Sequence, residues 1–248
     1  MSRLAKLGAL ALYPATWPAL IATRTAAAVE HMQMLQRIRP DTVIDVGGNK
    51  GQFALAALAA GASRVVSFEP LASEADLFVR NLGSDSRVTL HRFALAEAAG
   101  EATFHVADRP DSSSLLPIGA GQTRAFSVAE ASTQTVQLRR LDEVLQPETL
   151  QGTTLLKIDV QGAEARVITG ASGLYGAIRH VYAEVAFVEL YAGQPLAGEL
   201  IRMLDDAGFA LRGVYNVVQS PSYGPTQADL LFENRAMAAA PARDARGA

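Results

Sequence analysis

Residues 42–51 read Thr42-Val43-Ile44-Asp45-Val46-Gly47-Gly48-Asn49-Lys50-Gly51, a short apolar run followed at once by glycines. Residues 43–46 are typical of a buried strand, and the apolar residues 52–60 predict a helix. A strand, a glycine turn and a helix form the opening unit of a doubly wound α/β sheet, which binds ligands beyond the carboxyl ends of its strands. Glycine suits the turn because a backbone without Cβ can approach a ligand closely.

The residues of this turn favour one kind of ligand. A dinucleotide site has the pattern G-x-G-x-x-G, with a pyrophosphate at the helix N-terminus. Here Gly47, Gly48 and Gly51 are spaced differently, and the Asp45 carboxylate precedes them. A carboxylate repels a pyrophosphate where dielectric screening is weak, but it suits the ammonium and sulfonium charges of S-adenosylmethionine.

A second acidic residue supports this interpretation. Glu69 follows the apolar residues 65–68, about 20 residues downstream, where an acidic side chain meets ribose hydroxyls in related sheets. The alternative is that Asp45 and Glu69 only cap helices, as they do in many α/β proteins. Their joint placement at two strand ends favours a cofactor site.

Composition limits the classes of function. Of 248 residues, 49% are hydrophobic, which is enough for a sizeable core. The net charge is -3 and no run of Lys and Arg occurs, which argues against a nucleic-acid partner. Without cysteine there is no disulfide framework, thiolate metal site or cysteine nucleophile. The four histidines show no metal-ligand spacing.

The N-terminus imitates a signal peptide. Arg3 and Lys6 precede apolar residues 7–22, but Pro14 and Pro18 interrupt a run that is shorter than the ~20 residues of a membrane span. We expect a helical arm that packs on the domain or on a neighbouring copy in a homo-oligomer, and no integral membrane span. Loose membrane association is the alternative. The expected location is cytoplasmic.

The rest of the chain alternates between strands and helices. The patterns predict strands over residues 43–46, 64–68, 88–93, 102–106, 154–158 and 181–185, and an antiparallel pair over 209–215 and 228–232. They predict helices over residues 25–37, 52–60, 74–82, 138–145, 163–169 and 196–207. Residues 108–131 are polar and contain several prolines and glycines, which predicts a long loop that acts as a lid or binding loop.

Four blocks of sequence resemble one family, the FkbM-type S-adenosylmethionine-dependent O-methyltransferases. They are residues 44–51, 68–70, 156–164 (Leu-Lys-Ile-Asp-Val-Gln-Gly-Ala-Glu) and 227–232. The third block is the most specific. Gln161 stands where the family commonly has Glu, and Gly48 where it commonly has Ala.

The resemblance implies an α/β fold with a Rossmann-like seven-stranded sheet of the class I methyltransferase type, its last strand antiparallel. The methyltransferase domain is predicted over residues 41–235, and the sequence pattern predicts a helical arm over residues 1–40 and a disordered tail over 236–248. S-adenosylmethionine would be the cofactor, and a small-molecule hydroxyl of a sugar, glycolipid or polyketide the acceptor. The cofactor-binding residues carried over are Asp45, Gly47, Gly48, Asn49, Gly51, Phe53, Glu69, Pro70, Phe93, Ala94 and Ser114.

Two further carboxylates are candidates for catalysis. Asp159 and Glu184 end the fourth and fifth strands at the expected ligand edge, and Asp229 begins the last strand at the same edge. Each could act as a general base or hold a divalent cation, and the metal stays an open alternative. Alternatively, Asp159 caps the following helix and Glu184 pairs with Arg179 or Arg212.

Two other functions compete with an O-methyltransferase. One is a catalytically silent cofactor-binding or scaffold protein of the same fold, since retention of Asp45 and Glu69 favours binding but does not require turnover. The other is a nucleotide-dependent dehydrogenase, which the spacing of the glycines disfavours.

Overall fold

A computed structural model describes residues 8–238. They form an α/β fold that is built on one large sheet. The strands in chain order are β1 (Thr42–Val46), β2 (Arg64–Phe68), β3 (Val88–His91), β4 (Ala94–Leu95), β5 (Gly100–Ala107), β6 (Glu130–Arg139), β7 (Thr154–Ile158), β8 (His180–Ala186), β9 (Phe209–Ser220) and β10 (Gly224–Asn234). Within the described residues, the large sheet has seven strands in the order β3-β2-β1-β7-β8-β10-β9.

The central strand β1 shows why these residues form a sheet centre. It pairs in parallel with β2 on one side and β7 on the other, and all five of its residues are buried. Continuous apolar strands of this kind occur where helices cover both faces of a parallel sheet. The prediction of a Rossmann-like sheet from residues 42–51 is confirmed.

The far end of the sheet is antiparallel, as predicted. Strand β10 lies between β8 and β9 and runs antiparallel to both. The hairpin is longer than the apolar pattern indicated, because β9 continues to Ser220 and β10 begins at Gly224. Much of the added part of β9 is exposed, so no alternation of apolar and polar residues marks it.

Helices cover both faces of the sheet. They are α1 (Trp17–Thr23), α2 (Met32–Ile38), α3 (Gln52–Ala59), α4 (Ala72–Leu82), α5 (Ala120–Phe126), α6 (Leu141–Val144), α7 (Glu164–Gly170), α8 (Ala197–Asp206) and α9 (Arg235–Ala238). The predicted helix over residues 25–37 is shorter than expected, since a 3-10 turn over Val29–His31 precedes α2. No helix within residues 8–238 has the length and apolar character needed to cross a bilayer.

The segment before β1 packs into the core. Met34 and Leu35 are fully buried in the same apolar cluster as Val43, Phe53 and Val65. Residues 1–7 and 239–248, which hold the start of the predicted arm and most of the predicted disordered tail, lie outside the described residues. Within that tail, α9 ends at Ala238.

The prediction for residues 108–145 is wrong in two places. The expected loop contains a 3-10 turn at Pro110–Ser112 and helix α5, and its end belongs to β6. Strand β6 also occupies the start of the helix predicted over residues 138–145, so that α6 begins only at Leu141. In β6, which pairs with β4 and β5 in a second, three-stranded sheet, the first six residues are exposed. Main-chain pairing rather than a buried apolar face therefore forms this strand, and the apolar pattern could not reveal it.

The packing of the N-terminal segment predicts its contribution to stability. We expect Leu35→Ala to lower the free energy of unfolding by about 2–5 kcal/mol, the usual loss for a fully buried leucine. Ile21→Ala is the matched control, since Ile21 is 80% exposed, and it should change stability by less than about 0.5 kcal/mol. Urea denaturation measures both; equal midpoints would show that this segment is dispensable for the fold.

Candidate active site

A cavity of about 430 Å³ opens beyond the carboxyl ends of β1, β2 and β7, at the edge where the sequence placed the ligand. Nine of the predicted site residues line it: Gly47, Gly48, Asn49, Phe53, Glu69, Pro70, Phe93, Ala94 and Asp159. Four others do not: Asp45, Gly51, Ser114 and Glu184. The sheet thus brings together residues that are far apart in the chain.

The glycine turn lies directly against the turn after β7. Gly47 has a φ of +80°, and a Cβ there would collide with the carbonyl oxygen of Asp159. The backbone N–H groups of Gly47 and Gly48 both donate to the carbonyl oxygen of Phe68, at 3.1 and 2.9 Å. Glycine is therefore required by the close approach of three strand ends, and the turn forms one wall of the cavity.

Asp45 lies behind this turn and not in the cavity. Its side chain is fully buried, and Oδ1 lies 3.1 Å from Nζ of Lys157. Ser67 donates a hydrogen bond to the other oxygen at 3.2 Å. Residues 45 and 157 are direct partners in the parallel pairing of β1 and β7. The charge of Asp45 is therefore balanced inside the protein.

Lys157 is a site residue that the sequence analysis missed. Besides the ion pair with Asp45, its ammonium donates to the carbonyl oxygens of Val46 and Gly47 at 3.3 and 2.9 Å. Burial lowers its pKa, but the carboxylates of Asp45 and Asp159 outweigh burial and raise the pKa above the ordinary value. The available signal was a lysine within the otherwise apolar run of residues 155–158.

Glu69 faces the cavity from the end of β2. Its two oxygens accept hydrogen bonds from the backbone N–H groups of Asn49 and Leu71, each at 2.8 Å. Burial raises the pKa of this carboxyl to about 7. Each oxygen keeps a further lone pair, so the group can accept hydrogen bonds from ligand hydroxyls.

Asp159 and Glu184, the two predicted catalytic carboxylates, are joined by one amide. Nε2 of Gln161 donates to Oδ1 of Asp159 at 2.8 Å and to Oε2 of Glu184 at 3.0 Å. Gln227 donates to the other oxygen of Glu184. Burial raises the pKa of Glu184 well above its usual range, and the carboxylates of Asp159 and Asp229 raise it further.

The structural alternatives for these two residues are not observed. Helix α7 has no side-chain cap, and it is Glu164 that accepts the N–H groups of Val160 and Gly162. Arg179 and Arg212 pair with Glu233 instead of Glu184. Asp159 is free of a capping role, with 39% of its side chain exposed.

Gln161 holds this arrangement under backbone strain. It has a φ of +56°, which is uncommon for a residue other than glycine. Its Oε1 accepts a hydrogen bond from the hydroxyl of Tyr191 at 2.8 Å. The Ser114 hydroxyl donates to the Gln161 carbonyl at 2.7 Å. Ser114 therefore holds the turn in place without lining the cavity. Ser112 and Ser113 are the serines of this segment that line it.

A second polar contact at the cavity joins His31, which the sequence analysis missed, to Asp229, which it named as a candidate. His31 lines the cavity, and its Nδ1 lies 3.5 Å from Oδ2 of Asp229. Asp229 lies within β10, opposite Glu184, and not at the start of the last strand as predicted. Nothing in the local sequence of either residue signals this contact.

The possible metal ligands are not grouped as a metal site. Within residues 8–238, no three His, Cys, Asp or Glu side chains are placed to hold an ion. The Asp159–Glu184 pair also has an amide N–H group between its oxygens, a position where a divalent cation would require an oxygen ligand. This donor set does not suit a divalent cation.

The buried ion pair yields a stability prediction. Lys157→Met leaves the Asp45 charge buried without its partner, so we expect the free energy of unfolding to fall by about 3–5 kcal/mol. Adding Asp45→Asn to that variant should recover part of the loss. Arg92→Met is the control, since the side chains of Arg92 and its partner Asp76 are 46% and 58% exposed and the loss of such a pair should cost less than about 1 kcal/mol. Denaturant unfolding that showed Lys157→Met to be as stable as the parent would contradict the assignment.

Comparison with known proteins gives one family. The family model described as "Methyltransferase FkbM domain" matches residues 45–211. The chain is similar to 2-O-methyltransferase NoeI of Sinorhizobium fredii, with 27% identity over 190 residues, 68% of this chain and 74% of NoeI. It is also similar to the AMB antimetabolite synthetase AmbE of Pseudomonas aeruginosa, with 33% identity over 162 residues, but it spans only 8% of AmbE.

Among solved structures, the chain is similar to magnesium protoporphyrin IX methyltransferase of Synechocystis with bound S-adenosylmethionine. The identity is 13%, the TM-score is 0.45, and the match covers 83% of this chain and 80% of the other. The family match includes the glycine turn and the residues after β7, both of which line the cavity. The chain belongs to the FkbM methyltransferase family, whose members use S-adenosylmethionine.

Proposed function

We propose that the protein transfers a methyl group from S-adenosylmethionine to a hydroxyl oxygen of a small molecule such as a sugar, a glycolipid or a polyketide. One observation carries the proposal. The cavity is lined by the glycine turn and Glu69, at the ends of β1 and β2, and by the partly exposed Asp159 carboxylate after β7. The name of the relative NoeI, a 2-O-methyltransferase, supports a hydroxyl acceptor.

The glycine turn, Glu69 and the residues that follow β3 fit S-adenosylmethionine. Residues 47–49 offer backbone close to the cavity, and Glu69 offers carboxylate oxygens for the ribose hydroxyls. Phe93 and Ala94 supply an apolar surface, as an adenine ring requires. When bound, the cofactor supplies the activated methyl group and a neutral leaving group. Asp45 and Gly51 contribute indirectly, because they fix the turn from outside the cavity.

The carboxylate that follows β7 fits a hydroxyl acceptor. We assign Asp159 to the orientation of the acceptor, since its carboxylate can accept a hydrogen bond from a hydroxyl. Glu184 acts through Gln161, whose amide fixes Asp159. Residues 108–131, predicted as a lid or binding loop, contribute Arg109, Ser112 and Ser113 to the cavity lining and would select among acceptors. Alignment of acceptor and methyl group provides most of the rate gain in such a reaction.

A screen of hydroxyl compounds tests the proposal, with S-adenosylhomocysteine formation as the readout. Methyl transfer to an oxygen of a methyl glycoside or a polyketide would support it. Cofactor binding by calorimetry without turnover on any acceptor would instead support the silent scaffold. Binding of NAD in place of S-adenosylmethionine would overturn both.

Glu69 predicts a pH dependence of cofactor binding. The carboxylate accepts hydroxyl hydrogen bonds best when ionised, and its pKa is raised to about 7. Binding should therefore release a proton, and affinity should fall as the pH drops below about 7, by at most about tenfold per pH unit. Glu69→Gln should weaken binding by about 1.5–3 kcal/mol and remove the dependence.

Glu164→Gln is the matched control for this experiment. Burial also raises the pKa of Glu164 to about 7, but Glu164 does not line the cavity. Calorimetry in buffers of different ionisation enthalpy measures the released proton directly. If Glu69→Gln kept the proton release and Glu164→Gln lost it, Glu69 would not be the cofactor ligand.

Asp159 predicts a loss of turnover without a loss of cofactor. Asp159→Asn keeps the shape but removes the charge that orients the acceptor, so kcat should fall by about 10–10². Affinity for S-adenosylmethionine should stay within about twofold. Asp206→Asn, on an exposed part of α8, is the control. A chelator should leave the rate unchanged; inhibition by the chelator and recovery with magnesium would show that these carboxylates hold a metal.

A further inference from the structure

His31 is placed where a proton acceptor would be useful. It ends the 3-10 turn before α2 and lines the cavity together with Lys157 and Asp159. Its ring packs against the rings of Phe53 and Tyr182, with centroids 5.2 and 5.6 Å away. The side chain is 16% exposed. These contacts fix the plane of the imidazole.

One nitrogen of the ring is held by a polar cluster. Nδ1 lies 3.1 Å from the hydroxyl of Tyr182, 3.1 Å from the amide of Asn216 and 3.5 Å from Asp229. The Tyr182 hydroxyl donates to Asp229 at 3.0 Å, and Asn216 donates to the same oxygen at 2.9 Å. Among the described residues, none donates to or accepts from Nε2.

The cluster favours one tautomer. The single proton of Tyr182 goes to the Asp229 carboxylate, and burial keeps the pKa of this phenol above its usual value. The two N–H groups of Asn216 go to Asp229 and to the Tyr182 oxygen, at 2.9 and 3.3 Å. Nδ1 then faces the acceptor oxygens of Tyr182 and Asp229 and is their donor. With the ring proton on Nδ1, the lone pair is on Nε2.

We propose that His31 is the general base of the methyl transfer and that Asp229 is its positioning residue. The inference rests on the proposed function. Nε2 takes the proton of the acceptor hydroxyl while an oxygen lone pair forms the new bond to the methyl carbon. The carbon–sulfur bond breaks and its electron pair stays on sulfur. His31 then returns the proton to solvent, so the products are the methyl ether, S-adenosylhomocysteine and one proton.

The charges around His31 agree with this role. Burial has the largest effect and lowers the pKa of His31. Three carboxylates raise the pKa (Asp229 on β10, Glu30 in the same turn and Asp159 after β7), and the ammonium of Lys157 on β7 lowers it. The net result is a pKa below the ordinary value. The imidazole is therefore neutral near pH 7, the form that accepts a proton. Asp229 then stabilises the imidazolium that forms.

Asp159 is less suited to take the proton. Its Oδ1 already accepts from Gln161, and its Oδ2 lies 3.8 Å from the Lys157 ammonium. Both oxygens thus face a donor or a cation, whereas Nε2 of His31 has no protein partner among the described residues. The two side chains divide the work, since Asp159 orients the acceptor and His31 receives its proton.

Nitrogen NMR of the protein with labelled histidine tests the inference without an acceptor. We expect the Nδ1–H tautomer for His31 and a pKa below the ordinary value of 6.5. Asp229→Asn removes a charge that raises this pKa, so the pKa should fall further. An Nε2–H tautomer, as when Asn216 donates to a bare Nδ1, would overturn the proposal, and so would a His31 pKa that Asp229→Asn leaves unchanged.

Kinetics on any methyl glycoside that serves as acceptor complete the test. His31→Gln should lower kcat at saturating cofactor by about 10²–10⁴ and keep the S-adenosylmethionine dissociation constant within about twofold. The fall of kcat at acidic pH should disappear in His31→Gln and move to lower pH in Asp229→Asn. His105→Gln is the control, because His105 pairs with Glu130 away from the cavity.

The outcomes separate the two proposals. If the parent protein binds no S-adenosylmethionine and methylates nothing, the proposed function fails, but the NMR result still decides whether the cluster sets the tautomer of His31. If the parent methylates an acceptor and His31→Gln does so within about threefold of its rate, only the assignment of His31 fails.

Discussion

The site depends on one buried cation, the ammonium of Lys157. It lies between the ends of β1 and β7, pairs with Asp45, and donates to the carbonyl oxygens of Val46 and Gly47. Removing a charge from water is costly, and these partners offset the cost. The same bonds fix where the glycine turn begins. This pair therefore sets the position of Gly47 and its contact with the turn after β7. The part of the cavity that the glycine turn lines follows from it.

Strand order explains how the carboxylates after β7 and in β8 come together. The parallel strands β7 and β8 end at the same edge, which brings Asp159 and Glu184 within reach of one amide. Strand β10 runs antiparallel beside β8, so its middle, and not its end, meets this edge. That register places Asp229 opposite Glu184 and close to His31. An antiparallel last strand therefore adds side chains to a site that parallel strands alone would leave open.

The sequence revealed those features that depend on neighbouring residues. The strand and glycine turn at residues 42–51 and the acidic end of β2 are local patterns, and both indicated the edge of the sheet where the cavity lies. The ion pair of Asp45 with Lys157 and the contact of His31 with Asp229 join distant segments, and only strand register creates them. Strand β6 escaped because its first residues are polar and exposed. Ser114 was assigned by family position; its hydroxyl donates to the Gln161 carbonyl, and its role toward the cofactor stays a prediction.

The charges around the cavity act on both the cofactor and the base during the reaction. Lys157 is balanced by Asp45, so the negative charges of Asp159, which lines the cavity, and of Asp229, beside His31, are in excess. They favour a cationic cofactor over its neutral product. When the methyl group leaves, the positive charge on sulfur disappears, and a neutral His31 that gains a proton restores a positive charge beside the same carboxylates. The total charge of the site is conserved with either kind of base. A neutral base that takes the proton leaves a cation beside these carboxylates, whereas an anionic base is itself neutralised and leaves the remaining carboxylates without one. The excess negative charge of the site is for this reason better matched to a histidine base than to a further carboxylate.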